Sequence, residues 1–303
     1  MSAAVDRYVA VVLLAATTAI AAACGGDDRQ PGVVGDDEFV ASCIGIDAET
    51  FDPPAVLCIG STDGSVRELS QPMTPAIRPA VSASRDRIAL VHDGRLIVVD
   101  GEGDVHWSME GADGIVWMTF HDGDASLVVQ RLTDSGGSQI ERLSAEGTVT
   151  EVLLGEGDFT GDVAPGITLS PDGTRLAYAT KLSAGSALRI IDIASRVEST
   201  VLRSDEGVGI GAPAWSPDGS AIAVVIGEGL ERIDVATGSR TMLAAPGVPI
   251  ATPTWSPDSD EVLFIDARGA VLIAGVAEPA LKAIVDHTEG SDGRRFPALP
   301  AWS

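Results

Sequence analysis

Pro213-Ala214-Trp215-Ser216-Pro217-Asp218-Gly219-Ser220-Ala221-Ile222-Ala223-Val224-Val225 reads as a turn between a short aromatic strand and a β-branched one. Pro217 presets φ for the first corner and cannot continue a central strand. Asp218 offers its carboxylate to a backbone N–H further on, and Gly219 takes the positive φ that ends the turn. Ala221 to Val225 suits a strand buried between two sheets. Trp215 is a large apolar plate that fills the gap between neighbouring sheets. Inside such turn chemistry Asp218 is read as a cap rather than as a ligand or catalyst.

The pieces recur along the chain. Pro79-Ala80-Val81-Ser82 leads into Arg87 to Val91, a hairpin turn at Asp93-Gly94, and Arg95 to Asp100. Val116 to Phe120 is followed by His121-Asp122-Gly123 and Ser126 to Val129. Ile167-Thr168-Leu169 precedes Ser170-Pro171-Asp172-Gly173, then Arg175 to Ala179 and Leu188 to Asp192. Pro253-Thr254-Trp255-Ser256-Pro257-Asp258 precedes Glu261 to Ile265 and Ala270 to Ile273. Each unit holds four short strands, and the period is about 40–50 residues, which predicts an all-β β-propeller.

These residues resemble the TolB-like propeller repeat, the PD40 or WD40-like family, whose pattern is Pro-x-Trp-Ser-Pro-Asp-Gly before an Ile-Ala-Phe-like strand. The units at Pro213 and Pro253 match closely. The unit at Ile167 lacks the tryptophan, and those at Pro79 and Val116 are degenerate. The resemblance implies a rigid ring that binds partner proteins through one face and the central channel. Actinobacterial lipoproteins ending in a similar propeller are associated with sensor kinases, although this chain lacks their additional domains. Such propellers host many roles, so the resemblance speaks for fold more than for function.

The termini set the expected blade count. The first strand of successive units ends at Ser82, Phe120, Ser170, Ser216 and Ser256, and a last copy stands at Pro300-Ala301-Trp302-Ser303. Glu38 to Gln71 offers strands around Cys43, Cys58 and Val66 without such a copy before them. The expectation is a six-bladed propeller over 38–303, its ring closed by the C-terminal strand completing the first blade, which removes exposed sheet edges.

Residues 1–24 read as an export signal. Tyr8 to Ala23 is apolar or small throughout and short for a membrane span. It ends Ala21-Ala22-Ala23-Cys24-Gly25, which resembles the bacterial lipobox, with alanine at position 21 where leucine is usual. That implies lipidation of Cys24 and attachment to the outer side of the cell membrane. Ordinary cleavage after Ala-x-Ala with plain secretion, and an uncleaved anchor, are the other readings. Residues 25–37 are a polar, flexible tether. In an exported chain Cys43 and Cys58 are expected to form a disulfide. Its closed loop would stabilise by about 3 kcal/mol.

The formal charge is -24, with only Lys181 and Lys282 among the lysines. This argues against nucleic acid, which needs a basic footprint, and against direct docking on anionic headgroups. The Ala, Gly, Val and Asp bias with arginine over lysine points to a high-GC bacterium, in keeping with an actinobacterium. No Gly-x-Ser-x-Gly elbow is present, and His92, His106, His121 and His287 show no zinc spacing. Asp100-Gly101-Glu102-Gly103-Asp104, Asp122-Gly123-Asp124, and Asp158 with Asp162 carry oxygen ligands without the twelve-residue calcium-loop spacing. No catalytic residue, metal or cofactor is assigned. The expected function is a monomeric, lipid-anchored protein-binding or scaffolding module of the cell envelope, accessory to a membrane sensor or transport system. The alternatives are a small-ligand or calcium-dependent enzyme or receptor using the central channel, and a purely structural envelope protein.

Overall fold

The computed structural model describes residues 38–44, 55–61, 65–68, 79–122, 124–245, 250–266, 271–278, 281–285 and 296–301. The signal segment, Cys24, the tether, Trp302 and Ser303 lie outside the described residues. Strands come in fours. The first run gives β1 (Glu38–Ile44), β2 (Ala55–Ser61) and β3 (Val66–Glu68). Then follow β4 (Ala80–Val81), β5 (Ile88–His92), β6 (Arg95–Val99) and β7 (Val105–Glu110). The next four are β8 (Ile115–His121), β9 (Ser126–Leu132), β10 (Ser138–Ser144) and β11 (Val149–Leu154). After them come β12 (Asp162–Leu169), β13 (Arg175–Lys181), β14 (Ser186–Asp192) and β15 (Glu198–Arg203). The last runs are β16 (Ala214–Trp215), β17 (Ala221–Ile226), β18 (Gly229–Asp234) and β19 (Arg240–Ala244), then β20 (Ile250–Trp255), β21 (Glu261–Asp266), β22 (Val271–Gly275) and β23 (Leu281–Val285). The final strand is β24 (Phe296–Ala301).

The five sheets from β4 to β23 are each made from one continuous run of chain, as antiparallel meanders. A further sheet joins both ends of the chain in the order β24-β1-β2-β3. In it Val40 stands opposite Ala301 and Cys43 opposite Pro297. The molecule is an all-β β-propeller. Strand chemistry explains the layering. The second and third strands of a unit are covered on both faces and read as continuous apolar runs, such as Ala221 to Val225, all buried. The fourth strands, β7, β11, β15 and β19, alternate or lie exposed.

Successive sheets pack face to face. Val40, Leu57 and Ile59 meet Ile88, Leu90, Ile97 and Val99. Val128, Ile140 and Leu154 meet Ile167, Leu176 and Tyr178. Trp215 fills the gap between Ala177, Ala179 and Leu188 of one sheet and Ile222 and Val224 of its own, and Trp255 does the same one sheet later. Polar bridges cross the gaps as well. Fully buried Gln130 donates to Ser138 Oγ (3.0 Å) and accepts from Gly166 N–H (3.1 Å) of the next sheet. The sequence pattern flagged the tryptophans but not this glutamine.

Candidate functional site

The first strands of the five continuous sheets come together at a cavity of about 180 Å3. Its wall comes from Pro79 to Val81, Trp117 to Thr119, Thr168, Pro213 to Trp215, Pro217, Thr254 and Trp255. Five sheets thus contribute, and every one of these side chains is apolar or a threonine. Thr168 Oγ1 accepts the backbone N–H of Trp215 (3.1 Å), tying two innermost strands together. The Trp215 indole N–H donates to Gly219 O (3.2 Å) and that of Trp255 to Ala214 O (2.9 Å). The Arg175 guanidinium lies 4.9 Å from the centre of the Trp215 ring, within cation–π range.

The repeated turns follow these strands, and their chemistry centres on serine. Ser216 is buried, its Oγ donating to Asp218 Oδ1 (2.6 Å) while accepting the N–H of Ala221 (2.9 Å). Asp218 Oδ1 also accepts Ser220 N–H (2.9 Å), and Gly219 N–H closes the turn onto Ser216 O (2.9 Å). Ser170 repeats this with Asp172 (2.5 Å) and Arg175 N–H (3.0 Å), and Ser256 with Asp258 (2.5 Å) and Glu261 N–H (3.0 Å). The carboxylate caps anticipated from the sequence are therefore present. The serine that connects each cap to the next strand was the part not anticipated.

The degenerate unit keeps the same device with different residues. Ser82 Oγ accepts Arg87 N–H (3.0 Å) and donates to Asp86 Oδ1 (3.3 Å), with Ser84 also on Asp86. Arg85 takes the left-handed φ of 64° that glycine supplies elsewhere, and Ser259 does so in the last unit at 66°. Serine hydroxyls hold these carboxyls below the ordinary aspartate range. Asp172 is lowered to about 2, first by Ser170 and then by the Thr174 N–H. Asp218 and Asp258 are lowered chiefly by Ser216 and Ser256, and Asp86 chiefly by Ser84.

Neighbouring turns interlock around the rim. The Asp124 carboxylate accepts the N–H groups of Ala83 (2.8 Å) and Ser84 (2.9 Å) from the preceding sheet. A Cβ on Gly173 would lie 2.0 Å from His121 Cε1, so the glycine lets two turns touch. Ser259 Oγ accepts Asp218 N–H (3.1 Å) across the next boundary. His121 Nε2 lies 3.1 Å from Asp122 Oδ1.

The calcium-loop candidates are dispersed by the fold. Asp124 is the latch just described. Asp100 accepts the N–H groups of Glu102 (2.9 Å) and Asp104 (3.0 Å), an ordinary turn. Asp158 accepts Gly155 N–H (2.8 Å) and faces Arg196 Nε at 3.8 Å, while Asp162 is exposed at the start of β12. Among the described residues no three His, Cys, Asp or Glu side chains gather as a metal-holding group.

A second set of caps went unread in the sequence. Asp192 accepts Ser195 N–H and Oγ–H (both 2.7 Å), and Asp234 accepts Thr237 N–H (2.8 Å) and Oγ1–H (2.7 Å). The shared spacing Asp192-x-x-Ser195 and Asp234-x-x-Thr237 was the available signal. The register of β1 on β2 sets Cys43 opposite Val56 and Cys58 opposite Ala41. The cysteines are thus diagonal neighbours on the two strands.

Comparison with known proteins gives structural likeness alone. No family model and no curated protein matches the chain. A putative TolB from Agrobacterium tumefaciens matches with a TM-score of 0.59 and 16% identity, covering 82% of this chain and 89% of that one. TolB from Acinetobacter baumannii matches with a TM-score of 0.64 and 17% identity, covering 90% and 68%. A nidogen/laminin complex gives a TM-score of 0.61 at 9% identity, covering 87% and 97%. The chain thus has a TolB-like β-propeller fold.

Proposed function

We propose that the chain is an extracytoplasmic, lipid-anchored propeller that binds a protein partner of the cell envelope. The observation that carries this is the character of the cavity. The side chains that line the cavity are apolar or threonine, and the carboxylates of the turns that follow the lining strands are engaged in their own turns. Such a surface presents shape and hydrogen-bonding edges, which suits recognition rather than bond-making. The fold agrees, since structures of TolB and of a nidogen/laminin complex share it. Lipidation at Cys24 rests on the lipobox-like segment, and an accessory role to a membrane sensor or transport system on the family resemblance.

In this reading the sheet β24-β1-β2-β3 is a sixth blade that closes the ring. Its support is the pairing of β24 with β1, and the proximity of β24 to β20 and β21 of the preceding sheet. Deleting residues 297–303 should lower the thermal midpoint, and an unchanged unfolding curve would refute closure.

The binding role is tested by mild crosslinking of the full chain in its native envelope, followed by purification. One protein recovered in fixed ratio to the chain is expected. Recovery of the chain alone would refute the reading. Mass spectrometry of the same sample should find an acylated N-terminus at Cys24, and an unmodified, soluble chain would refute the anchor.

A further inference from the structure

We propose that the cavity is a binding site for a small neutral polyol of about the size of one sugar ring. No ionisable side chain lines it, and burying an unpaired charge is strongly unfavourable, so the ligand is uncharged. The lining side chains are apolar or threonine, so the polar part of the surface is backbone and hydroxyl.

Strand parity turns that backbone toward the cavity. The N–H groups of Ser82, Ser216 and Ser256 are donated within their own sheets, to the carbonyls of Arg87, Ala221 and Glu261. Hydrogen-bonded and non-hydrogen-bonded pairs alternate along an antiparallel ladder. The preceding pairs, Val81 with Ile88, Trp215 with Ile222 and Trp255 with Val262, are therefore of the second kind. The N–H and C=O groups of Val81, Trp215 and Trp255 point away from their own sheets, on the side where these residues line the cavity. The Trp215 and Trp255 rings are buried between sheets, and it is their backbone that the cavity meets.

One of these donors is left open by a difference between repeats. The Trp215 N–H is taken by Thr168 Oγ1 (3.1 Å) of the preceding sheet. Thr168 stands two residues before its turn serine, and Ala214 holds that place in the next sheet. Alanine has no oxygen to offer, and among the described residues no side chain accepts the Trp255 N–H. Thr119 and Thr168 bring half-buried hydroxyls to the same wall. The wall thus offers N–H donors, carbonyl acceptors and hydroxyls together. A ligand hydroxyl both donates and accepts, so it can meet each of them, which a ligand with acceptors alone cannot.

The size agrees. A closed cavity of about 150 Å3 holds one six-membered ring. This cavity of about 180 Å3 is open to solvent, which admits a ring whose hydroxyls reach the wall. The inference is independent of the protein-partner reading, since titration with a sugar can succeed where no partner protein is captured.

The probes are glucose, galactose and mannose, each paired with its uronate, which keeps the ring and adds a charge. With 15N-tryptophan-labelled full chain, the Trp255 backbone amide should move saturably with at least one of the three sugars. The amide of Trp107, on the outer strand β7, should stay in place. The matching uronate should bind at least about tenfold more weakly, because nothing in the wall offsets its charge. Ala214→Thr places at 214 the residue that the neighbouring sheets carry at 168 and 254, so the fold should be kept. Its hydroxyl takes the Trp255 N–H from the ligand, and binding should weaken about two- to twelvefold, the worth of one hydrogen bond. Absence of a saturable shift at Trp255 with all three sugars would overturn the proposal. So would a uronate binding as tightly as its sugar, or an unchanged affinity in a folded Ala214→Thr chain. The first two comparisons need no variant.

Discussion

Ser216→Ala should destabilise the propeller more than Asp218→Ala. The serine Oγ is the acceptor for the N–H of Ala221, which is itself fully buried. Removing it strands that N–H, at a cost of about 1–3 kcal/mol. The hydrogen bond to Asp218 is lost as well, worth about 1 kcal/mol net because the exposed carboxylate turns to water and keeps the Ser220 N–H. The sum is about 2–4 kcal/mol, or roughly 4–7 °C in thermal midpoint for a domain of this size. Asp218→Ala leaves the Ser216–Ala221 bond in place and removes a carboxylate that is exposed, so its cost should stay near about 1 kcal/mol. Urea unfolding of both variants, with unchanged dependence on denaturant, gives the two values. A larger loss in Asp218→Ala would refute the assignment of the serine as the centre of the turn.

Gly173→Ala and Gly219→Ala form a second comparison. Both positions are left-handed, at φ 67° and 74°, so each carries strain of about 1–2 kcal/mol. A new Cβ at 173 also meets His121 at 2.0 Å, whereas at 219 the nearest atom is 3.7 Å away. Gly173→Ala should therefore lose clearly more stability, and equal losses would refute the contact between turns. On acidification, Asp172 should contribute a loss of stability between about pH 4 and about pH 2. Its folded-state pKa is depressed to about 2, so its stabilisation is present above the unfolded value and disappears as pH falls through the folded one. Asp172→Asn should remove that share of the slope in thermal midpoint against pH. Cys43 and Cys58 stand diagonally across β1 and β2, and export should join them in a disulfide. Mass spectrometry of a non-reducing digest should find the 43–58 crosslink if export oxidises the pair, and free thiols would refute it.

Much of this architecture was legible in the chain because a propeller repeats short-range chemistry. Ser-Pro-Asp-Gly at Ser170 and Ser216, and its variant at Ser256, announces a turn through proline φ, a carboxylate cap and a left-handed residue, all within a few positions. The β-branched runs after each turn announce buried strands for the same local reason. The turn at Ser82 was harder to read because its cap moved to Asp86 and an arginine took the left-handed position. The role of Asp124 was hidden for a related cause. A carboxylate's partners are a matter of distance in space, and those of Asp124 are backbone groups some forty residues away.

The sequence by itself determined the repeat, the turn type, the strand order within each unit and the acidic character of the surface, since these follow from neighbours along the chain. Only the tertiary structure decided that the first strands of five sheets bring Trp117, Thr168, Trp215 and Trp255 to one cavity. It also decided that β24 pairs with β1, and that the register of β1 on β2 sets Cys43 and Cys58 diagonally across the two strands. The physical reason is that backbone propensity acts over a few residues. The packing of one sheet against the next joins side chains from units that the sequence keeps about 40 residues apart.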